Sequence, residues 1–152
     1  MMFVTRDSSS VRWAILAGAV LLAAVSAGCD RQPYSTVRIS GTVTYDDGSL
    51  IPAPELMVYF EPQAESIDPK TTPRRGYTEV NVADGTFSRV TTYAPGDGAI
   101  PGEHKVVIEA IGEGGVPDYS FFPREYSDAM TTPLTIEVGS QRTFDLTVPK
   151  RQ

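Results

Sequence analysis

The clearest pattern in the sequence is an alternation of apolar and polar side chains that begins at Thr36. In TVRISGTVTY (36–45) every second position is apolar, glycine or aromatic, and the positions between them are polar or charged. Side chains of a β-strand point alternately to opposite faces, so this spacing predicts a strand with one buried face. That face consists of Val37, Ile39, Gly41, Val43 and Tyr45.

Six more segments have strand patterns, and runs rich in glycine, proline and aspartate separate them. They are ELMVYFEP (55–62), GYTEVNV (76–82), TFSRVTT (86–92), EHKVVIEAI (103–111), LTIEV (134–138) and TFDLTV (143–148). Asp84-Gly85 predicts a hairpin turn, and apolar residues on both faces of 103–111 predict a central, covered strand. The sequence therefore predicts an all-β domain over 36–149, a seven-stranded antiparallel sandwich.

The chain before this domain has a different character. Arg6 and Arg12 precede WAILAGAVLLAAV (13–25), an uncharged run of 13 residues, and small residues follow it. A basic start, a short apolar run and small residues before a cleavage point are typical of a secretory signal peptide. The run is shorter than the roughly 20 residues that span a bilayer as a helix. We therefore expect residues 1–28 to be a signal peptide; the alternative is a buried core helix.

The single cysteine of the chain follows that segment directly. Ser26-Ala27-Gly28-Cys29 resembles the bacterial lipobox, although Ser26 stands where leucine is usual. The resemblance implies that Cys29 becomes the lipidated N-terminus and that 29–35 is a short tether. A plain secretion site and a small buried cysteine are the alternatives. The expected location is outside the cytoplasm, anchored by lipid to a bacterial membrane and facing the periplasm or the cell surface.

Charge excludes some partners. Lys and Arg number 13 and Asp and Glu 19, so the formal net charge is −6. An acidic chain without a cluster of basic residues in its sequence is a poor candidate for binding nucleic acid. Surface charge of this sign is also repelled by anionic lipids, so membrane attachment has to come from the lipid on Cys29.

Five segments in order resemble a known family. They are ISGTVTYDDGSLIPAPELMVYFEP, ADGTFS, GAIPGEHKVVI, FPREYSDAMTTPLTIEV and TFDL, which together cover most of the chain from Val37 to Val148. This pattern is similar to the transthyretin-like, carboxypeptidase-regulatory-like domains of planctomycete-type lipoproteins. His104 and Arg124 depart from it, where Tyr and Lys are usual. The resemblance implies a prealbumin-like (Ig-like) sandwich on an exported, lipid-anchored protein, and it implies no catalysis.

Candidate catalytic and metal-binding residues are few. His104 is the only histidine, and we expect it at the rim of the core. The sequence contains no GxSxG, HExxH or glycine-rich phosphate motif. Asp46-Asp47-Gly48 and Asp84-Gly85 lack the spacing of a calcium loop and fit tight turns better. We therefore expect no enzyme activity, no metal and no cofactor; a hydrolase with an unrecognised site is the remaining alternative.

The segment 119–126, which we call the aromatic loop, is the candidate ligand site. Its aromatic residues are Tyr119, Phe121, Phe122 and Tyr126. Exposed aromatic side chains mark contact sites, but the same residues also close the ends of sandwiches. The leading hypothesis is a non-enzymatic, lipid-anchored envelope protein whose sandwich is a structural or protein-interaction module. The alternative is a carbohydrate- or peptide-binding module that uses the aromatic loop. The expected partners are the membrane and an unknown envelope protein or glycan.

Overall fold

The computed structural model describes residues 32–151, whose regular elements are seven β-strands and one 3-10 turn. The strands are β1 (Ser40–Tyr45), β2 (Glu55–Pro62), β3 (Gly76–Asn81), β4 (Thr86–Phe87), β5 (Gly102–Ile111), β6 (Thr135–Val138) and β7 (Thr143–Val148), and the 3-10 turn is Arg124–Ser127. No α-helix occurs within residues 32–151. The prediction of an all-β domain is confirmed.

All seven strands belong to one sheet in the order β6-β5-β2-β3-β4-β1-β7. Five neighbouring pairs are antiparallel, but β1 and β7 run parallel, from Ser40 opposite Thr143 to Tyr45 opposite Val148. The prediction of a purely antiparallel sheet is wrong at this pair. Turn signals indicate only local hairpins, whereas β1 and β7 come from opposite ends of the domain. Both edge strands, β6 and β7, line one groove of about 310 Å³, so the sheet is curled.

Burial alternates along the strands as the sequence pattern predicts. In β2 the three predicted core residues are buried, and in β7 every second residue is buried. Hydrophobic side chains that point inward from β1, β2 and β7 are Val43, Tyr45, Leu56, Val58, Phe60, Phe144, Leu146 and Val148. Burying each large apolar side chain contributes about 1.5–3 kcal/mol relative to leaving it exposed. The inward face therefore supplies the main stabilising contacts of the domain.

The strand predicted over 86–92 is interrupted early. β4 ends at Phe87, and Arg89 has a φ of 56°, outside the β region. Pairing resumes only as an isolated bridge between Thr91 and Tyr77. A positive φ at a non-glycine residue costs energy, and the alternation of apolar and polar residues gives no sign of it. The sequence pattern therefore could not predict the bend at Arg89.

The sheet is narrowest at β4, which pairs at two positions with β3 (Val80 with Phe87 and Asn81 with Thr86) and at two positions with β1. Residues from both sides of this point nevertheless share one core, and the rings of Phe60 and Phe87 lie 5.7 Å apart. Gly41 allows β7 to approach β1, because a β-carbon at this position would overlap the carbonyl of Phe144. The core is therefore continuous across the narrow part of the sheet.

The connection from β5 to β6 covers an open edge of the sheet. β6 pairs with β5 only from Gly102 to Lys105. Farther along β5, Ser127 Oγ donates to Ile108 O (2.9 Å) and Thr132 Oγ1 donates to Val106 O (2.7 Å). These hydroxyl groups satisfy carbonyls that would otherwise lie unpaired at a strand edge. The contacts fix the segment that follows the aromatic loop against β5.

Candidate functional site

Cys29, the predicted lipidation site, lies outside the described residues. The first side chain of the described chain that hydrogen-bonds to the rest of the domain is Tyr34. Its hydroxyl oxygen lies 3.1 Å from Glu65 O and 3.1 Å from Thr71 O, and it accepts a hydrogen bond from Ile67 N (3.0 Å). Tyr34 therefore holds the start of the domain against the 65–71 segment.

The aromatic loop places its four rings in different surroundings. Phe122 is 1% exposed and belongs to the core, so its side chain is not available to a ligand. Phe121 and Tyr126 are partly buried and pack against the same core. Tyr119 is partly exposed and has the guanidinium of Arg124 over its ring, 4.8 Å from the centroid. The four aromatic residues therefore do not form one exposed platform.

Two shallow grooves flank the aromatic loop. One, of about 460 Å³, is lined by Tyr119 and by residues of the 3-10 turn. The other, of about 470 Å³, is lined by Phe121, Tyr45 and Lys150 among others. Ligand contact through Tyr119 or Phe121 stays a prediction.

The cations beside the aromatic loop all have partners. Lys150 Nζ lies 2.6 Å from Asp47 Oδ2 and 5.2 Å from the centroid of the Tyr45 ring. Arg151 donates a hydrogen bond to the carbonyl of Tyr119. The pKa of Asp47 is held well below its ordinary value by the hydrogen bond from Lys150 and by two hydrogen bonds from Ser49. Lys150 is therefore paired with a carboxylate, while Arg124 and Arg151 contact neutral groups of the domain.

A third concave site has a different composition, and we call it the arginine groove. It has a volume of about 480 Å³ and contains the exposed side chains of Arg38, Arg89 and Arg142. Its other polar side chains are those of Ser40, Ser88 and Thr143, and the buried residues Ile39 and Val90 also line it. No Asp or Glu lines this groove.

The sheet topology brings the three arginines together from distant parts of the sequence. Arg38 lies just before β1, Arg89 just after β4 and Arg142 just before β7. β4 is antiparallel to β1, so its end lies beside the start of β1. β7 is parallel to β1, so its start lies there as well. Sequence reasoning missed this site because its residues are separated by up to 104 positions and only the parallel pair makes them neighbours.

None of the three groove arginines has an acidic partner among the residues that the structure describes. In the described chain the ion pairs are Arg75–Glu61 (3.4 Å) and Lys150–Asp47 (2.6 Å). Among residues 32–151, the guanidinium groups of the groove arginines donate no hydrogen bond, and Arg89 takes part only through its backbone carbonyl, which accepts from Thr91 Oγ1 (3.5 Å). Within the described part of the chain, the groove therefore presents three guanidinium groups without a counterion.

His104 is placed differently from the prediction. It is 1% exposed, and its Nε2 lies 2.6 Å from Ile100 O. Its ring meets that of Phe60 edge to face at a centroid distance of 6.4 Å. The expectation of a rim position is wrong, because His104 belongs to the inward face of β5 together with Val106 and Ile108. An imidazole enclosed in this way has no access to a substrate.

Within residues 32–151, no group of three His, Cys, Asp or Glu side chains is arranged to hold a metal ion. The same part of the chain contains no helix of the length and apolarity needed to cross a membrane. Comparison with family models, with curated proteins and with solved structures gives no match. The resemblance to transthyretin-like domains therefore stays a prediction.

Proposed function

We propose that this chain is a non-enzymatic, lipid-anchored protein of the bacterial cell envelope whose β-domain is a structural or interaction module. The observation that carries the proposal is the short link between Cys29 and the domain. Tyr34, the first side chain held by the domain, follows Cys29 by five residues. An extended chain of this length reaches at most about 17 Å. A lipid on Cys29 would keep the domain next to the bilayer.

Anchoring through a covalently attached lipid is consistent with the negative net charge of the chain. A net charge of −6 gives no general attraction to anionic lipids. A single acyl chain binds a membrane only marginally, whereas two or three anchor it stably. A diacylglycerol on the Cys29 thiol would supply that anchor without help from the protein surface. The absence of any other cysteine leaves the thiol without an intramolecular disulfide partner.

We also propose that the domain is a two-layer sandwich of the prealbumin-like kind. Its support is the two-residue strand β4, whose short pairings on both sides separate the four strands β6-β5-β2-β3 from β1 and β7. The inward residues of both parts belong to one core cluster. Two sheet faces that share a core are the arrangement of a sandwich.

A carbohydrate- or peptide-binding role for the aromatic loop is the second candidate. It is supported by Tyr119, which is partly exposed and lines a groove of about 460 Å³ together with Arg124. Flat aromatic rings suit contact with sugar or peptide surfaces, and the guanidinium beside this ring adds hydrogen-bond donors. The Tyr119→Ala variant described in the Discussion separates this role from a packing role.

The anchoring proposal is tested by intact-mass analysis of the chain from the membrane fraction. We expect a mass that corresponds to cleavage before Cys29 plus a diacylglycerol, and we expect Cys29→Ser to lose both the added mass and the membrane association. Ser26→Leu is the matched control, because it restores the usual lipobox residue and should keep both. Recovery of the wild type in the soluble fraction without added mass would overturn the proposal.

A further inference from the structure

We propose that the arginine groove is a binding site for a multiply charged oxyanion of the phosphate or sulfate class. The residues that would bind the oxyanion are Arg38, Arg89 and Arg142. The topology of β4, β1 and β7 places them around one cavity of about 480 Å³. This site lies outside the aromatic loop and requires no lipid on Cys29.

The first argument is charge. The chain has a net charge of −6, yet three guanidinium groups share a groove that no Asp or Glu lines. Arginine stays protonated in proteins, so the three positive charges cannot be relieved by losing protons. Like charges gathered in a concave site repel one another and concentrate a positive potential there. An anion with more than one negative charge would reverse that repulsion more fully than a single carboxylate.

The second argument is that nearby carboxylates are engaged elsewhere. Asp97 lies in the loop that borders the groove, but its two oxygens accept hydrogen bonds from the backbone N–H groups of Thr92, Tyr93 and Ala94 at 2.8–3.1 Å. Asp145, on the β7 strand that starts at the groove, accepts a hydrogen bond from Thr42 Oγ1 (2.8 Å). Neither is within ion-pair distance of a groove arginine.

The third argument is the backbone at Arg89. It is the one non-glycine residue with positive φ (56°) among residues 32–151. A residue of this kind costs about 1–2 kcal/mol in the left-handed region, and such costs concentrate at functional sites. Gly96 lies next to it, since a β-carbon at Gly96 would be 3.8 Å from Arg89 Nε. Glycine or asparagine would adopt this backbone conformation more easily. The position is nevertheless occupied by arginine, whose long cationic side chain lies at the groove.

The groove also has the remaining features of an anion site. Planar guanidinium groups bind phosphate and sulfate oxygens through paired hydrogen bonds. The hydroxyl groups of Ser40, Ser88 and Thr143 line the same cavity and add donors. A volume of about 480 Å³ lies within the usual range for small-molecule sites and exceeds that of one oxyanion. Part of the molecule that carries the anion would therefore also enter the groove.

The test is a titration of the full chain in neutral detergent with inorganic phosphate, followed by amide NMR at constant ionic strength. We expect saturable shifts of the Ser40, Gly96 and Thr143 signals, and the same response to sulfate but not to added chloride. Arg38→Gln, Arg89→Gln and Arg142→Gln should each weaken phosphate binding by about tenfold or more. Arg124→Gln, which removes an equal charge at the aromatic loop, should leave binding unchanged.

Two further measurements complete the test. Each arginine variant should unfold in urea at a midpoint close to the wild type, since these side chains are exposed; a variant that fails this check is replaced by its lysine counterpart. Nanodiscs of phosphatidylcholine with added glucose 6-phosphate, compared with nanodiscs containing phosphatidic acid, distinguish a soluble phosphate ester from a lipid headgroup. Shifts in either arm support the proposal.

Shifts that do not saturate, or that are equal in Arg124→Gln and in the groove variants, would overturn it. The detergent titration does not depend on Cys29, so the two proposals can fail separately. A wild-type chain that carries no lipid but binds phosphate would overturn the anchoring proposal alone.

Discussion

The aromatic loop and the arginine groove both carry exposed cations, but only at the aromatic loop does each cation have a partner. Arg124 lies over the Tyr119 ring, and Lys150 pairs with Asp47. At the groove, Arg38, Arg89 and Arg142 have no acidic partner within residues 32–151. At the loop the positive side chains therefore contact other groups of the domain, whereas at the groove three guanidinium groups are exposed.

The two regions also differ in what their side chains stabilise. The aromatic loop turns Phe122 into the core, and Phe121 and Tyr126 pack against it. The groove places its charged side chains in solvent and holds Arg89 in an unfavourable backbone conformation. Removing a side chain from the loop should therefore reduce stability, whereas removing one from the groove should reduce binding.

The largest expected effect comes from Phe122→Ala. The ring is 1% exposed, so truncation removes its buried area and leaves a cavity, and we expect a loss of about 3–5 kcal/mol in the free energy of unfolding. Tyr119→Ala is the matched control in the same loop and should cost less than about 1 kcal/mol, because Tyr119 is partly exposed. Urea denaturation measures both.

Similar losses in the two variants would remove the distinction between core and surface within the aromatic loop. If Tyr119→Ala keeps its stability and loses capture of a glycan or peptide, the loop has a binding role as well. If it keeps both its stability and its partners, the binding role of Tyr119 is wrong.

A smaller effect of opposite sign is expected for Arg89→Gly. Glycine adopts a φ of 56° without steric cost, so the substitution removes about 1–2 kcal/mol of strain from the folded state. The greater freedom of glycine in the unfolded chain lowers the free energy of unfolding by about 0.4–1 kcal/mol. We expect a net gain of about 0.5 kcal/mol in stability, together with weaker phosphate binding. Ser88→Gly, one residue earlier, is the control and should gain nothing. A less stable Arg89→Gly would show that Arg89 is not strained.

The contrast between these regions explains which parts of the fold the sequence could predict. The period-two pattern depends only on which face of a strand is buried, and it therefore identified the inward residues of β2 and β7. Short turns such as Asp84-Gly85 are also local, and Gly85 has the positive φ (75°) that such a turn needs. The alternation could not predict the break at Arg89, because strain at one residue leaves the pattern of side-chain types unchanged.

The parallel strand pair and the arginine groove were not predicted from the sequence because they depend on pairing between distant parts of the chain. The parallel contact of β1 with β7 joins the two ends of the domain, and no turn signal specifies it. The arginine groove depends on that contact, since an antiparallel β7 would place Arg142 at the other end of β1. His104 was expected at the rim because it lies near the start of its strand, but its ring is buried and has Ile100 O as a partner at 2.6 Å.

The smallest expected effect tests the pairing of Lys150 with Asp47 beside the aromatic loop. The hydrogen bond from Lys150 is the largest cause of the lowered pKa of Asp47, so Lys150→Gln should raise that pKa toward its ordinary value of 3.8. Because the folded-state pKa is lowered, the stabilising contribution of Asp47 is present above pH 3.8 and is lost as the pH falls through the lowered pKa. Carboxyl NMR titration measures it, with Asp84 as the internal control, since Thr86 lowers its pKa and no lysine is involved. An unchanged pKa of Asp47 in Lys150→Gln would mean that its Ser49 hydrogen bonds are sufficient, and the ion pair would then no longer distinguish this end of the domain from the groove.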